Sequence, residues 1–219
     1  MPLDFATARR TMVEQQVRPW DVLDPRVLAT IGAVHREDFV GARHRKLAYA
    51  DIEIPLEHGE SMLKPIIEGR ILQALDLAPE HDVLEVGTGS GYLTACLAQL
   101  TRAVFSIDVR NDFIARARSR LDSINSTCVR LQHADAMSFD PGRQFDAVAI
   151  TGAVATVPDR FLDWVRPGGR LFVIRGVAPV QEAVLLTRLE SGAAWSEESL
   201  FETDVAYLQG AAPIHRFVL

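Results

Sequence analysis

Three glycines at alternate positions, Gly87, Gly89 and Gly91, separated by Thr88 and Ser90, carry the clearest chemical signal in the chain. They follow an apolar run that holds an acid, Val83-Leu84-Glu85-Val86, and they lead through Tyr92 into a helix-like stretch from Leu93 to Leu100. Such a turn lets backbone and ligand approach closely, and the helix start offers N–H groups that lack intrahelical partners. A second apolar run, Ala103 to Ile107, ends in Asp108. That acid lies about twenty residues past the glycines, the spacing of one β-α-β unit and a position suited to ribose hydroxyls. Together these residues describe a cradle for a nucleotide-like ligand.

The spacing and the charge narrow the ligand. Dinucleotide sites read G-x-G-x-x-G, whereas this turn reads G-x-G-x-G with Glu85 two residues ahead. A carboxylate there repels a pyrophosphate and suits a cationic, amine-bearing group. S-adenosyl-L-methionine is such a ligand. Asp108 would take the ribose, Glu85 would orient the methionine part directly or through water, and Ala134-Asp135-Ala136 would flank the adenine, with Asp135 facing its exocyclic amine. Two alternatives stay open at this point: Asp135 as the cap of its own loop, and Tyr92 either packing on the ligand or capping the helix.

Methyl transfer asks the protein to align an acceptor atom with the methyl group and to shield both from water; it needs no metal. Candidate positioning residues precede the glycine turn: His58, Ser61 and Lys64, with Tyr49 nearby. His58 reads either as a base or as a structural histidine. Ser61 reads as the cap of the following helix in preference to a nucleophile, because no histidine-acid pair stands at a diagnostic local spacing.

The elements that must position these residues follow from periodicity and punctuation. Asp4 to Gln16 is predicted helical, with Phe5, Ala8, Met12 and Val13 inward and Pro19 ending it. Asp24-Pro25 starts a second helix that buries Val27, Leu28, Ile31 and Val34. Residues 36–48 carry a basic cluster, Arg43 to Lys46, that is either a solvated face or an entrance for an acidic substrate. Residues 49–56 read as an irregular passage, and a helix starts near Lys64-Pro65. From Asp82 onward strands and helices alternate, with Pro167-Gly168-Gly169 as a stop before the apolar strand Arg170 to Ile174. This pattern predicts an α/β, Rossmann-like sheet, mostly parallel and covered by helices on both faces. Short strands at Val184 to Leu189, Trp195 to Phe201, Asp204 to Leu208 and Arg216 to Leu219 predict an antiparallel C-terminal edge. The organisation expected is one domain over 1–219: a helical cap over 1–80, a cofactor-binding core over 81–176, and C-terminal strands over 177–219.

Composition limits the class of protein. The chain has 219 residues, 48% of them hydrophobic, and a net charge of -6 from 23 basic and 29 acidic residues. No global positive field would gather phosphates, so nucleic acid is not an expected partner. Cys96 and Cys128 form no C-x-x-C or Cys/His cluster and read as free thiols in a reducing compartment. No stretch is long enough to span a bilayer and no apolar signal core opens the chain, so a cytoplasmic protein is expected.

Over nearly its whole length the chain resembles the protein-L-isoaspartate O-methyltransferase family, a group of class I methyltransferases. The residues that carry the resemblance are Met12-Val13, Asp24 with Val27-Leu28, Arg36 to Val40, Ala48 to Asp51, Ile54-Pro55-Leu56, Gly59 and Pro65. They continue through Val83 to Tyr92, Ser106-Ile107, Phe145-Asp146, Gly168-Gly169 and Arg216-Phe217-Val218. The resemblance implies a cytosolic, usually monomeric enzyme that transfers a methyl group from S-adenosylmethionine to the free carboxylate of an isoaspartyl residue in damaged protein; a second subunit covering the C-terminal edge would instead give a homodimer. A carboxylate is already nucleophilic when ionised, so no strong base is required. The family signature is typically G-Q-T-I-S-Q-P, and the matching positions here read Gly59-Glu60-Ser61-Met62-Leu63-Lys64-Pro65, which places Leu63 where the family has serine. Three readings follow: isoaspartyl repair with Lys64 or backbone donors substituting for the serine, methyl transfer to a different acceptor such as a small molecule, and a non-enzymatic cofactor-sensing or protein-binding module.

Overall fold

Asp4 opens the first helix by accepting hydrogen bonds from the backbone N–H groups of Ala6 and Thr7. In the computed structural model, which describes residues 4–213, that helix is α1 (Phe5–Met12). It widens through Val13–Val17 and tightens through Arg18–Trp20, so Pro19 does not end it. Proline sits in the first turn of the tight segment, where its missing N–H is not needed, and the chain turns away only at Asp21, with φ 57°. α2 (Pro25–Ala33) begins as expected, with the Asp24 side chain accepting from the Arg26 N–H.

Residues 36–59 form short turns and one tiny strand. β1 (Ile54–Pro55) pairs antiparallel with β2 (Ser61–Met62), and the connecting turn holds His58 and Gly59 at φ 62° and 77°. α3 (Pro65–Ala74) follows directly.

The core runs β3 (Asp82–Val86), α4 (Tyr92–Leu100), β4 (Ala103–Asp108), α5 (Asn111–Ser123), β5 (Val129–His133), β6 (Phe145–Val154), α6 (Asp159–Asp163), β7 (Val165–Val177), β8 (Val180–Arg188) and β9 (Trp195–Thr203). Seven strands form one sheet in the order β5-β4-β3-β6-β7-β8-β9, with parallel pairing as far as β7 and antiparallel pairing beyond it. The direction of winding reverses between β3 and β6, and ligands of open α/β sheets bind outside the strand ends at such a point.

One face of the sheet packs Val83, Val104, Ala147 and Phe172 against α3, α4 and α5 and against Met12, Val17, Val27 and Ile31 of the N-terminal helices. The opposite face departs from the expected helical layer. It is covered by the five-residue α6 and a loop, whose Phe139, Phe161 and Trp164 pack on Phe105 and Phe145. Phe161 and Trp164 stack at 4.6 Å. Large rings supply there the apolar area that a longer helix would otherwise bring.

Two further expectations are corrected. Pro167-Gly168-Gly169 lies inside β7 as a bulge: Phe145 faces Val165, yet Ala147 faces Arg170. Gly169 is required because a Cβ would stand 2.8 Å from the Asp146 carbonyl. Asp204 to Leu208 forms a strap instead of a strand. Ala153 donates its N–H to the Ala206 carbonyl at 2.9 Å and accepts from the Leu208 N–H at 2.9 Å. The strap docks where the β6 register shifts between Ala149 and Ala153, which frees backbone groups from the ladder. The expected strand at Arg216 to Leu219 lies outside the described residues.

Candidate active site

Between the ends of β3, β4 and β6, the hairpin β1–β2 and the strap 205–209 lies a concave cleft, the shape expected of a small-molecule site. Gly87, Gly89, Asp108 and Asp135 line it together with Ser61, as do Leu56, Glu60 and Phe113. Gly87 has φ 96°, and a Cβ there would meet the Thr151 hydroxyl at 2.2 Å. That hydroxyl lies 2.9 Å from the Val86 carbonyl oxygen and 3.0 Å from that of Gly87, and it ties the β6 end to the turn. Gly91 has a different role. It stands at the N-cap of α4 with φ 85°, where its missing Cβ lets α4 approach the Ala117 backbone of α5.

Asp108 is held from both sides. Its Oδ2 accepts from the Gly89 N–H and its Oδ1 from the Arg110 N–H, each at 2.8 Å. Burial raises its pKa, opposed by those two donors. The carboxylate is thereby fixed beside the turn with lone pairs left for hydroxyl donors. Asp135 caps its own loop, its Oδ1 accepting from the Met137 N–H at 2.9 Å, and it also lines the cleft.

Several predicted residues stand elsewhere. Glu85 is fully buried beneath the turn and does not line the cleft. Its Oε2 accepts from the hydroxyls of Thr94 and Ser106, each at 2.5 Å, and its Oε1 has no partner among the described residues. Tyr92 is 1% exposed and neither meets the cleft nor caps α4; its ring packs edge-on against Phe39 and under the Arg36 guanidinium at 4.7 Å. His58 is exposed, and its Nε2 lies 3.2 Å from the Asp112 carboxylate. Lys64 occupies the N-cap of α3 without a side-chain cap bond and lies outside the cleft lining. Tyr49 is buried, with its hydroxyl donating to Glu37. Ser61 is not the helix cap; strand pairing with Pro55 sets it before the helix start, and its hydroxyl donates to Glu53 at 2.8 Å. The basic cluster is a surface turn, in which Arg45 pairs with Asp38 at 2.8 Å, and it contributes nothing to the cleft lining.

Thr88 and Ser90 line a smaller inner cavity that shares Leu56, Ser61, Leu63, Gly87, Gly89 and Thr151 with the cleft. Glu68 of α3 also lines it. Its only sequence signal is a lone acid within the apolar run Ile66-Ile67-Glu68-Gly69. Tyr207 of the strap was equally hidden; it reaches the cleft because its hydroxyl donates to the Gly176 carbonyl at 3.0 Å and accepts from the Ala178 N–H at 2.8 Å.

Burial lifts the Glu85 carboxyl to about 8 and that of Glu68 to about 7, in both cases chiefly by desolvation. Each acid therefore holds its proton more tightly in the folded than in the unfolded chain. The associated stability is complete below the unfolded carboxylate range and is lost as pH rises through the raised values. The expected result is a thermal midpoint that falls between pH 5 and pH 9. Glu85→Gln, neutral throughout, should remove roughly 4 kcal/mol of that decline between pH 5 and pH 9. Parallel midpoint profiles for the two proteins would contradict this account.

The sheet order, the glycine turn at the switch point and the acid at the end of β4 define an α/β domain of the class I methyltransferase type. The model of the Protein-L-isoaspartate(D-aspartate) O-methyltransferase family matches residues 7–207. The chain belongs to that family. It is 34% identical over 203 residues to a protein-L-isoaspartate O-methyltransferase of Synechococcus sp., covering 90% of this chain and 83% of the relative. It is 37% identical over 196 residues to one of Bordetella parapertussis, covering 88% and 74%. Among solved structures, a Plasmodium falciparum protein assigned to the same group, in complex with S-adenosyl-L-homocysteine, shares the fold with a TM-score of 0.78 at 18% identity, covering 91% of this chain and 97% of that one.

Proposed function

We propose that this protein is an S-adenosyl-L-methionine-dependent methyltransferase that esterifies the free carboxylate of isoaspartyl residues in damaged proteins. The observation that carries the reading is the cleft at the switch point, where the glycine turn and the doubly anchored Asp108 stand beneath the β1–β2 hairpin in a chain of this family. Asp108 would hold the ribose hydroxyls, Phe113, Ala134 and Ala136 would enclose the base, and Asp135 would face its exocyclic amine. Gly87 and Gly89 admit the ligand to the backbone. When bound, the cofactor supplies an electrophilic methyl group. The hairpin and strap exclude water, and residues 4–80 act as the substrate-side cap. An ionised acceptor needs no base, which agrees with His58 and Lys64 standing outside the cleft.

A second reading, methyl transfer to another acceptor, is favoured by Leu63. Leu63 lines both spaces, and its apolar side chain offers no hydrogen bond at the position where the resemblance implies a serine. Ser61, whose hydroxyl is engaged with Glu53, and backbone donors remain to orient a carboxylate. Leu63→Ser separates the readings. Under the repair reading it changes kcat/KM for an isoaspartyl peptide by less than about 10-fold, since one neutral hydrogen bond contributes about 1 kcal/mol. Turnover that appears only in Leu63→Ser would favour the other acceptor.

A further inference from the structure

The inner cavity has the glycine turn and the start of α4 on one side, through Thr88, Ser90 and Leu93, and the β2–α3 passage on the other, through Met62, Leu63 and Glu68. Glu68 is the single ionisable residue in that lining. It is 3% exposed, its Oε2 accepts from the buried Arg36 guanidinium, and no described residue donates to its Oε1. Arg36 is itself anchored on the Leu63 carbonyl at 2.5 Å. The carboxylate is therefore held in place, and part of its accepting capacity remains unused.

The adenosine end of the proposed cofactor is accounted for by the outer cleft, around Asp108, Phe113 and Asp135. The opposite end of S-adenosylmethionine, and of its product S-adenosylhomocysteine, is a zwitterion with an ammonium and a carboxylate. Past the turn, the inner cavity is the adjoining space. At the start of α4 the Tyr92 N–H already meets the Ser90 hydroxyl at 3.2 Å, and the N–H groups that follow it lack intrahelical partners and suit the carboxylate. The ammonium donates hydrogen bonds and carries charge, so a carboxylate is its strongest partner in this lining. Glu85 does not line this space: its Oε2 accepts from Thr94 and Ser106, and its Oε1, without a partner among the described residues, is buried beneath the turn.

We propose that Glu68 is the binding partner of the cofactor's α-ammonium group. The assignment rests on the S-adenosylmethionine reading above. It balances charge: the guanidinium of Arg36 and the incoming ammonium flank one protein carboxylate, while the ligand carboxylate faces the α4 start, so the amino-acid end of the ligand adds no net charge. It also explains how an acid inside an apolar helix face serves the site.

The test is isothermal titration of wild type and Glu68→Gln with S-adenosylhomocysteine and with its desamino analogue, which keeps the adenosine and the thioether but lacks the ammonium. Loss of a charge-assisted hydrogen bond should weaken S-adenosylhomocysteine by about 10- to 100-fold. The desamino analogue should bind the two proteins within about 3-fold, and it also reports that the outer cleft is folded. Equal weakening of both ligands, or of neither, would overturn the assignment. Failure of wild type to bind either ligand would instead overturn the cofactor reading on which it rests. Glu68→Gln leaves a buried guanidinium without its counter-charge; if it does not fold, Arg36→Met/Glu68→Met removes the pair together and carries the same comparison.

Discussion

Arg36→Met is expected to destabilise the protein by about 3–5 kcal/mol, seen as a fall in thermal midpoint of roughly 10 °C. Arg36 is fully buried, and its guanidinium joins three parts of the molecule. It pairs with Glu68 on α3, donates to the Leu63 carbonyl just before that helix, and lies over the Tyr92 ring at the start of α4. Methionine fills much of the volume but leaves the Glu68 carboxylate without its counter-charge and the Leu63 carbonyl without its donor. The Glu68 carboxyl would then take up a proton at still higher pH, so the loss should be greater at pH 8 than at pH 6. Arg36→Met/Glu68→Met should regain most of the loss, because apolar replacement of a whole buried pair is often close to neutral. A single variant within about 1 kcal/mol of wild type would show that the pair does not tie residues 36–39 to α3.

Gly87→Ala has the second large effect, on binding more than on folding. Its φ of 96° disfavours any Cβ, and the Thr151 hydroxyl stands 2.2 Å from where that atom would lie, whereas the Thr151 Cβ is at an ordinary 3.6 Å. Relief requires the threonine to rotate, which breaks its links to the Val86 and Gly87 carbonyls and frees the β6 end from the turn. Strain of about 1–3 kcal/mol and the lost hydrogen bond of about 1 kcal/mol should together weaken S-adenosylhomocysteine at least about 10-fold by titration. Adding Thr151→Ala removes the clash but not the backbone strain, so Gly87→Ala/Thr151→Ala should recover part of the affinity. A double variant no better than the single one would assign the whole effect to φ.

How much of this was legible in the chain depends on the range of the forces involved. The parallel core could be read because buried strands are apolar runs and the helices between them are periodic, and the glycine turn because its backbone geometry excludes other residues. The Asp24-Pro25 helix start was legible for the same local reason. What failed was long-range. Whether Glu85 faces a ligand or lies under the turn depends on hydroxyls at Thr94 and Ser106, 9 and 21 residues away. Tyr92 turns into the cap because Phe39 and Arg36 receive its ring. The pairing of Arg36 with Glu68 spans 32 residues, and neither helix periodicity nor motif spacing announces it. The strap at 204–208 resembles a strand in composition, and only the shifted register of β6 gives its backbone a different partner.

The central claim, isoaspartyl-selective methyl transfer, is tested most directly by incubating the wild-type protein with labelled S-adenosylmethionine and either an isoaspartyl peptide or its normal-aspartyl twin at equal concentration. Label is expected in a base-labile ester on the isoaspartyl peptide alone. Absence of label from both peptides, in a protein that binds S-adenosylhomocysteine, would contradict the claim and move the search to another acceptor.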